Sequence, residues 1–428
     1  MSVRDRTEQA LAKIADPKGE GARACLTVYP DAARAAADAA DARAGAGISL
    51  GALDGAIVSI KDLFDVAGEP TRAGSKILLN APPAKTDAPI VRRLRAAGAV
   101  IVAKTGMSEF AFSGVGMNPH FGTPGNPADR ARVPGGSSSG AAVAAADHMC
   151  DIAIGTDTGG STRIPAAVCG IVGFKPSKWR VPTDGAFPLS YMLDSIGPLA
   201  RTVEDCAKAD AVMAGGEHAP LQAAPVAGLR LGVPQGMLTK DWDNTVGTRF
   251  GAARRRLSDA GARITDEPMP LLDPMAAVNA KGGFAPAEAF SIHRERLATH
   301  GADFDPNVRA RIERGANLSA ADYVEMARER ARLVRAMDAQ AAAFDAWMLP
   351  TTAIVAPTIA EMHDTHTFNS KNMLLLRNTS TWNFFDMCAI SIPIPGSGLP
   401  VGLMLVGRNG HDRRLFEIAA GIERLFAA

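Results

Sequence analysis

Two glycine-rich turns, each built around a serine, constrain this chain more than any other feature of its sequence. Gly135–Gly140 reads GGSSSG and contains Ser137, and Asp157–Arg163 reads DTGGSTR and contains Ser161, 24 positions later. Glycine adopts backbone conformations that a Cβ atom forbids, so both segments are predicted to turn sharply and to approach a bound group closely. Neither turn is expected inside a regular strand or helix.

A lysine precedes both turns, at the end of the short apolar run Ala56–Ile60. Lys61 lies 76 residues before Ser137, and none of the eight histidines lies beside either turn. A serine hydroxyl attacks a carbonyl carbon only when a base removes its proton. Lysine becomes such a base when burial among apolar neighbours lowers its pKa from the ordinary value of about 10.4. The sequence therefore offers Lys61 where other serine enzymes use histidine.

The backbone of the second turn predicts an oxyanion hole. The consecutive N–H groups of Thr158, Gly159, Gly160 and Ser161 are free to converge on one oxygen, because the glycines allow a close approach. A phosphate-binding loop is one alternative, but the Walker sequence ends in Gly-Lys-Ser/Thr and neither turn has lysine there. Flexible surface turns are the other. Two such turns and a lysine in this order favour a catalytic site.

The motifs around these residues resemble the amidase signature family of serine hydrolases. The resemblance covers nearly the whole chain in the family's order, and its motifs are those at Lys61, Pro134–Gly140, Gly155–Ser161, Ile164–Ala167, Cys169–Pro176, Leu193–Asp205, Leu349–Thr352 and Gly398–Gly402. It implies a Ser-cisSer-Lys triad. In that triad Ser161 is the nucleophile, Ser137, after a cis peptide bond from Gly136, relays the proton, and Lys61 is the base.

The reaction implied by this resemblance is hydrolysis of the C–N bond of a small carboxamide through a Ser161 acyl-enzyme. Neither a cofactor nor a metal ion is expected. A second hypothesis keeps the chemistry but makes the chain the glutaminase (A) subunit of a tRNA-dependent amidotransferase, which is usually longer than this chain. Ester or urea-like substrates of the biuret and allophanate type are a variant of the first hypothesis. A non-catalytic binding protein is a third, and the intact triad argues against it.

Four residues are candidate substrate contacts: Met117, Ser138, Arg163 and Tyr191. The guanidinium of Arg163, two residues past the nucleophile, suits a substrate carboxylate, but a structural salt bridge explains it equally well. By resemblance, the pocket walls come from 117–121, 184–193 and 366–385. The last two segments contain five aromatic residues that are candidates for a partly aromatic pocket, namely Phe187, Tyr191, Trp382, Phe384 and Phe385.

The composition argues against several classes of partner. A net charge of +1 gives no field for nucleic acid, and no apolar run is long enough to predict a membrane span or a targeting segment. The five cysteines lack metal-binding spacing and are typical of a reduced cytoplasmic protein. His363 and His366, the densest potential metal cluster, are predicted to lie in a surface loop. We expect a small amide as the only ligand. The sequence leaves open whether the protein forms a homodimer.

Short apolar runs alternate with helical segments, which predicts an α/β fold. The resemblance implies one large mixed β-sheet covered by helices on both faces, in a single domain of residues 1–428 with its catalytic core at about 55–206. Strands are predicted at 56–60, 99–103, 152–155, 228–233, 346–349 and 403–406. Helices are predicted at 5–15, 31–45, 87–97, 140–147, 244–261, 286–299, 306–315, 319–345 and 413–426.

Overall fold

Eleven short strands form one mixed β-sheet in the computed structural model, which describes residues 1–428. In chain order the strands are β1 (Cys25–Val28), β2 (Ile57–Lys61), β3 (Val100–Thr105), β4 (Ile152–Thr156), β5 (Val172–Lys175), β6 (Ile196–Ala200), β7 (Arg230–Pro234), β8 (Arg263–Glu267), β9 (Ala346–Pro350), β10 (Cys388–Pro393) and β11 (Gly402–Gly407). Their spatial order is β1-β3-β2-β4-β6-β5-β10-β11-β9-β7-β8. The predicted single mixed sheet is confirmed.

Helices cover both faces of this sheet. In chain order they are α1 (Val3–Ala15), α2 (Gly21–Ala24), α3 (Pro30–Gly45), α4 (Pro89–Ala96), α5 (Ser139–Ala146), α6 (Arg163–Cys169), α7 (Val203–Ala214), α8 (Asn244–Asp259), α9 (Leu272–Asn279), α10 (Phe284–His300), α11 (Pro306–Glu313), α12 (Ala320–Ala341), α13 (Thr365–Phe384) and α14 (Asp412–Ala427). None of them combines the length and apolar character needed to span a lipid bilayer.

The alternation of side chains along each strand divides the core between the two faces. In β3, Ile101 belongs to the same hydrophobic cluster as residues of α4, α7, α8 and α14, whereas its neighbours Val100 and Val102 share a cluster with residues of α1, α3, α5 and α6. In β11, Leu403 joins the first of these layers, and Met404 packs with α9, α12 and α13 on the opposite face. Central strands of this sheet are therefore buried on both sides, as their apolar runs predict.

Most predicted elements are confirmed to within a few residues, and one is wrong. The segment around His363 and His366 was predicted as a surface loop. Both histidines are exposed, but α13 begins at Thr365 because the Asp364 carboxylate caps it, accepting the Thr367 N–H at 2.8 Å. The five cysteines are free and buried, as predicted.

Candidate active site

Two neighbouring parallel strands bring the predicted base and nucleophile to one edge of the sheet. β2 ends at Lys61 and β4 ends at Thr156, and the two strands pair in parallel with Ile60 opposite Ile154. The carboxyl ends of adjacent parallel strands open on the same side of a sheet, where the loops that follow them line a crevice. Ser161 lies five residues beyond the end of β4, so its turn meets Lys61 at this edge.

The side chain of Lys61 is completely buried and has two hydrogen-bond partners. Its Nζ donates to Ser137 Oγ at 2.8 Å and to Thr156 Oγ1 at 2.8 Å. Burial lowers the pKa of Lys61 to about 7, although the carboxylates of Asp194 and Asp157 act in the opposite direction. A substantial fraction of this amine is therefore neutral near pH 7 and able to accept a proton.

The first glycine-rich turn fixes Ser137 beside this amine. The Gly136–Ser137 peptide bond is cis, as the resemblance implied. The Ser137 carbonyl accepts the Ser108 N–H at 3.1 Å. A Cβ atom added to Gly136 would lie 2.7 Å from the backbone of Gly116, so a larger residue has no room there. The turn therefore holds the Ser137 hydroxyl close to the lysine through its own backbone.

The second turn presents four backbone N–H groups that have no partner within the protein. The amides of residues 158–161 make no hydrogen bond, whereas that of Thr162 donates to Asp157 Oδ2 at 3.2 Å. Gly160 has a φ of 136°, a region that favours glycine, and an added Cβ would overlap the Thr379 side chain. The Ser161 hydroxyl also has no hydrogen-bond partner and is only 4% exposed at the residue level. An oxyanion hole requires such free, convergent donors beside the nucleophile.

Arg163 forms a buried ion pair instead of the expected substrate contact. Its Nη2 lies 2.8 Å from Asp157 Oδ1 and its Nε donates to Asp157 Oδ2 at 3.0 Å, and neither side chain is exposed. Further donors reach Asn383 Oδ1 at 2.6 Å and the Thr379 carbonyl at 3.1 Å. Burial would raise the pKa of Asp157, but the charge of Arg163 and hydrogen bonds from Arg163 and Asn383 hold it well below its usual value. The guanidinium is fully engaged, which favours the salt-bridge interpretation.

A second buried carboxylate braces the nucleophile turn from the other side. Asp194 Oδ1 accepts the Thr158 hydroxyl at 2.5 Å, and Oδ2 accepts the N–H groups of Leu189 at 2.9 Å and Ser190 at 3.1 Å. Burial raises the pKa of Asp194 although these hydrogen bonds oppose the shift. The turn is thus tied to the loop that precedes β6, as well as to α13 through Thr379, whose hydroxyl donates to the Gly159 carbonyl at 2.6 Å.

A cavity of about 230 Å³ opens over the second turn. Ser161, Thr158 and Gly159 contribute to its wall, so the candidate nucleophile faces the space that a substrate would occupy. Such a volume suits a compact substrate. The remaining lining residues come mainly from the segment after β3, from α9, α11 and α13, and they are Ala111, Phe112, Ser113, Gly114, Leu189, Leu193, Met275, Asn279, Ala285, Arg311, Leu376, Ser380, Thr381 and Phe384.

Arg311 is the cationic residue of this cavity, and no carboxylate of the protein forms an ion pair with it. Its side chain is largely buried, since the residue is 8% exposed. Nη1 donates to the Phe112 carbonyl at 2.8 Å, and the guanidinium carbon lies 5.5 Å from the centroid of the Phe368 ring. Burial and the positive charge of Arg314 lower the pKa of Arg311 to about 10. The side chain therefore remains charged at neutral pH and has donors available for an anionic ligand.

Two of the other predicted substrate contacts do not line the cavity. Met117 packs against the hydrophobic core that includes α5, and Ser138 donates to the Thr156 carbonyl at 3.3 Å. Ser138 is fully buried, with no side-chain surface left for a substrate. Neither residue lines this cavity, in contrast to the substrate contact expected of each.

The predicted aromatic residues divide among three environments. Phe384 lines the main cavity. Phe187 and Tyr191 line a smaller neighbouring cavity of about 50 Å³, and Tyr191 is 66% exposed at its outer side. Trp382 and Phe385 are buried in the core beside β9 and β11. The main cavity is therefore less aromatic than predicted.

Several residues of the site were not predicted from the sequence. Thr156, Asp194, Thr379 and Asn383 brace the two turns, and Arg311 brings a charge to the cavity. Thr156 lies within the Gly155–Ser161 motif, so its position was a usable signal. Asp194 likewise lies within the Leu193–Asp205 motif, and Thr379 and Asn383 lie in the segment 366–385 that was expected to form a pocket wall. Only for Arg311 does nothing in the local sequence indicate the contact. No group of three or more His, Cys, Asp or Glu side chains is arranged to hold a metal ion.

Comparison with known protein families gives one match across the chain. The family model described as Amidase matches residues 5–416. A crystal structure of an amidase superimposes with a TM-score of 0.89 and 32% sequence identity, and the match covers 100% of this chain and 96% of the other. The eleven-stranded sheet and its helical layers are therefore those of amidases.

Two curated relatives align over almost all of their length. The 2-amino-5-chloromuconic acid deaminase of Comamonas testosteroni is 38% identical over 403 residues, which are 92% of this chain and 86% of the relative. The A subunit of the glutamyl-tRNA(Gln) amidotransferase of Acidothermus cellulolyticus is 37% identical over 474 aligned positions, which cover 100% of this chain and 92% of the relative.

Proposed function

This chain belongs to the amidase signature family of hydrolases that act on C–N bonds, and from that premise we propose how its own residues perform amide hydrolysis. Ser161 is the nucleophile, Ser137 the proton relay and Lys61 the base. The observation that carries the proposal is the 2.8 Å hydrogen bond from a fully buried lysine to Ser137 Oγ. Its pKa of about 7 is suited to proton transfer at neutral pH.

Acylation begins when the neutral Lys61 amine takes the proton of the Ser137 hydroxyl. Ser137 takes the proton of Ser161 in the same step, and Ser161 Oγ forms a bond to the carbonyl carbon of the amide. The carbonyl π electrons move to the oxygen, which becomes an oxyanion held by the free N–H groups of residues 158–161. Removal of one such donor typically costs about 3–4 kcal/mol of transition-state stabilisation.

Collapse of the tetrahedral intermediate breaks the C–N bond. The leaving nitrogen is a poor leaving group as an anion, so Ser137 gives it a proton and recovers one from the Lys61 ammonium. Ammonia or an amine departs, and the acyl group remains on Ser161 as an ester. Water then loses a proton to the same relay and attacks the ester carbon, and the free acid leaves when Ser161 Oγ regains its proton.

We assign the substrate to the small amides that carry a carboxylate. Arg311 supports this assignment, because a largely buried guanidinium without an ion-pair partner lines the cavity that Ser161 faces. A buried charge is costly unless it is paired, and a substrate carboxylate completes the pair with two parallel hydrogen bonds. The name of the Comamonas relative, a deaminase of an amino-chloromuconic acid, describes an anionic substrate for that protein and agrees with this choice.

A glutaminase component of an amidotransferase is the second candidate, favoured by the full-length similarity to the Acidothermus relative. Glutamine also carries a carboxylate beside its amide, so Arg311 suits it equally. This candidate requires a partner enzyme that consumes the ammonia. We further propose that residues 1–428 act as one domain, supported by the continuous sheet, and that the protein is cytoplasmic, supported by five free buried cysteines.

The test is ammonia release by the purified chain alone, with Ser161→Ala as the control. The panel contains malonamate and glutamine as anionic amides, and benzamide, biuret and aliphatic amides as neutral ones. Release from an anionic amide that is absent from the variant supports the proposal. Release only from neutral amides contradicts the anionic substrate class. Glutaminase activity that appears only after addition of an amidotransferase partner favours the second candidate.

A further inference from the structure

The cavity over Ser161 opens into a wider groove of about 930 Å³ that leads toward solvent. Cavity and groove share a boundary formed by Phe112, Met275, Asn279, Arg311, Leu376, Ser380 and Thr381. Beyond this boundary most of the groove lining is exposed or partly exposed, and it comes from α9, α10 and α13, from the segment after β7 and from the end of α11. We call this space the entrance groove, and its outer lining includes Met237, Arg314, His366, Asn369, Met373 and Arg377.

The charges that line the entrance groove have one sign. Arg311, Arg314 and Arg377 contribute guanidinium groups, His366 contributes an imidazole, and the lining contains no Asp or Glu. The chain as a whole is balanced, with 46 Lys and Arg against 45 Asp and Glu. The excess of positive charge is therefore a local property of the groove and not a consequence of the composition.

Of the two guanidinium groups in the outer lining, that of Arg314 has no ion-pair partner and that of Arg377 has one. Arg314 is exposed and makes neither a hydrogen bond nor an ion pair with its side chain. Arg377 is less available, because its side chain is only 10% exposed, donates to the Lys240 carbonyl at 2.6 Å and pairs with the Asp241 carboxylate at 3.9 Å. Glu313, which neighbours Arg314 in the chain, pairs instead with Arg309 at 2.7 Å.

Arg314 and Arg311 lie one after the other on the path from the groove into the cavity. Residues three apart at the end of a helix lie on the same side, with Cβ atoms about 5–6 Å from each other. Arg311 lines both spaces, whereas Arg314 lines only the groove. The proximity of the two charges is also reflected in the lowered pKa of Arg311, to which Arg314 contributes after burial.

We propose that the positive charge of the entrance groove steers anionic amides toward Ser161: Arg314 captures their carboxylate and passes it inward to Arg311. This inference rests on the proposed function and adds a specificity element outside the reacting cavity. A groove lined by one sign of charge raises the local concentration of oppositely charged ligands and accelerates their association by factors of about 10 to 10³ at low ionic strength. Neutral amides gain nothing from it.

The experiment uses two activated esters that any nucleophilic serine attacks, para-nitrophenyl hemisuccinate as the anionic probe and para-nitrophenyl acetate as the neutral one. Initial rates of nitrophenolate release give kcat/KM for each, after subtraction of the rate with Ser161→Ala. Each is measured between about 0.01 M and about 1 M salt, where the screening length falls from roughly 30 to roughly 3 Å. Arg314→Glu reverses the exposed charge of the groove, and Arg335→Glu makes the same change at an exposed position of α12.

The expected result is a hemisuccinate-to-acetate ratio of kcat/KM that falls with salt, and that falls about tenfold in Arg314→Glu at low salt. Arg335→Glu keeps the wild-type ratio. The inference is wrong if the ratio does not depend on salt concentration, or if it changes equally in Arg314→Glu and Arg335→Glu. Either result leaves the proposed role of Ser161 unaffected. A different failure is release of nitrophenolate by Ser161→Ala at the wild-type rate. Ser161 would then not be the nucleophile, and both the proposed function and this inference would be wrong.

Discussion

Lys61 Nζ lies 2.8 Å from Ser137 Oγ with no solvent contact on either side chain. A lysine in this position is useful only while its amine is neutral, and burial supplies that condition by lowering its pKa to about 7. The nearby carboxylates of Asp157 and Asp194 act against the shift, so the proton affinity is a balance between desolvation and two buried charges. In the proposed mechanism the same balance sets the pH range in which the enzyme works.

Activity is expected to rise with pH through about 7 and to level off above it. Below this pH Lys61 is protonated and cannot accept the proton of Ser137, so kcat/KM falls about tenfold for each further pH unit. The measurement is a pH profile of kcat/KM from about pH 5.5 to about pH 9, which brackets the pKa of about 7 on both sides. An identical inflection in the residual activity of Lys61→Ala would assign the titration to another group.

Replacing the two serines is expected to have unequal effects. Ser161→Ala removes the nucleophile and reduces kcat by about 10⁴-fold or more. Ser137→Ala removes only the relay, so a loss of about 10²–10⁴ with a small residual rate is expected. Turnover numbers and thermal unfolding are measured for both variants. Equal and complete loss in both, with an intact fold, would mean that Ser137 does more than transfer protons.

The ion pair between Arg163 and Asp157 is expected to be essential for stability. Asp157→Asn leaves the Arg163 guanidinium buried without a counter-charge, which costs about 3–5 kcal/mol of unfolding free energy. Denaturant unfolding of Asp157→Asn and Arg163→Leu measures this loss. If Arg163→Leu unfolded like the wild type and raised only KM for anionic amides, Arg163 would be a substrate contact after all.

Arg311→Gln is expected to discriminate between anionic and neutral amides. Loss of a charged partner to a buried carboxylate costs about 2–5 kcal/mol, which appears chiefly as a higher KM for anionic amides. Arg311→Lys keeps the charge but loses the paired hydrogen bonds of the guanidinium. Its KM for anionic amides is therefore expected to lie between those of the wild type and of Arg311→Gln. Parallel kinetics on malonamate and benzamide measure the discrimination. A similar loss on both amides would give Arg311 a structural role only.

Gly160→Ala is expected to abolish activity, whereas Gly159→Ala is expected to reduce it less. Gly160 has a φ of 136° and its added Cβ overlaps Thr379, whereas the Cβ added to Gly159 meets Leu376 at an ordinary 3.4 Å. Distortion at Gly160 turns the free N–H groups away from the oxyanion, for a loss of about 10²–10³ in kcat. The matched pair separates backbone conformation from loss of a glycine as such. Equal activities of the two variants would contradict this account.

The turns and strands that carry the candidate site could be predicted because their sequence signals are local, whereas the roles of Lys61, Ser137 and Ser161 stay predictions. The glycines around Ser137 and Ser161 determine their turns within a few residues, and the strands that carry Lys61 and the second turn have clear apolar runs. The surroundings were less predictable. Whether Arg163 points to a substrate or to Asp157, and whether Arg311 reaches the cavity, depends on packing between segments far apart in the chain.

The side chains proposed for bond breaking and those proposed for recognition belong to different layers of the molecule. Lys61 and the two serine turns lie at the carboxyl ends of β2 and β4. Arg311 and Arg314 lie at the end of α11, which is outside the sheet. With these proposed roles, substitutions at Arg311 and Arg314 are expected to alter which molecules are accepted without disturbing the residues that react. Replacing a few residues of one helix is then expected to change the substrate specificity of such an enzyme, in evolution or by design.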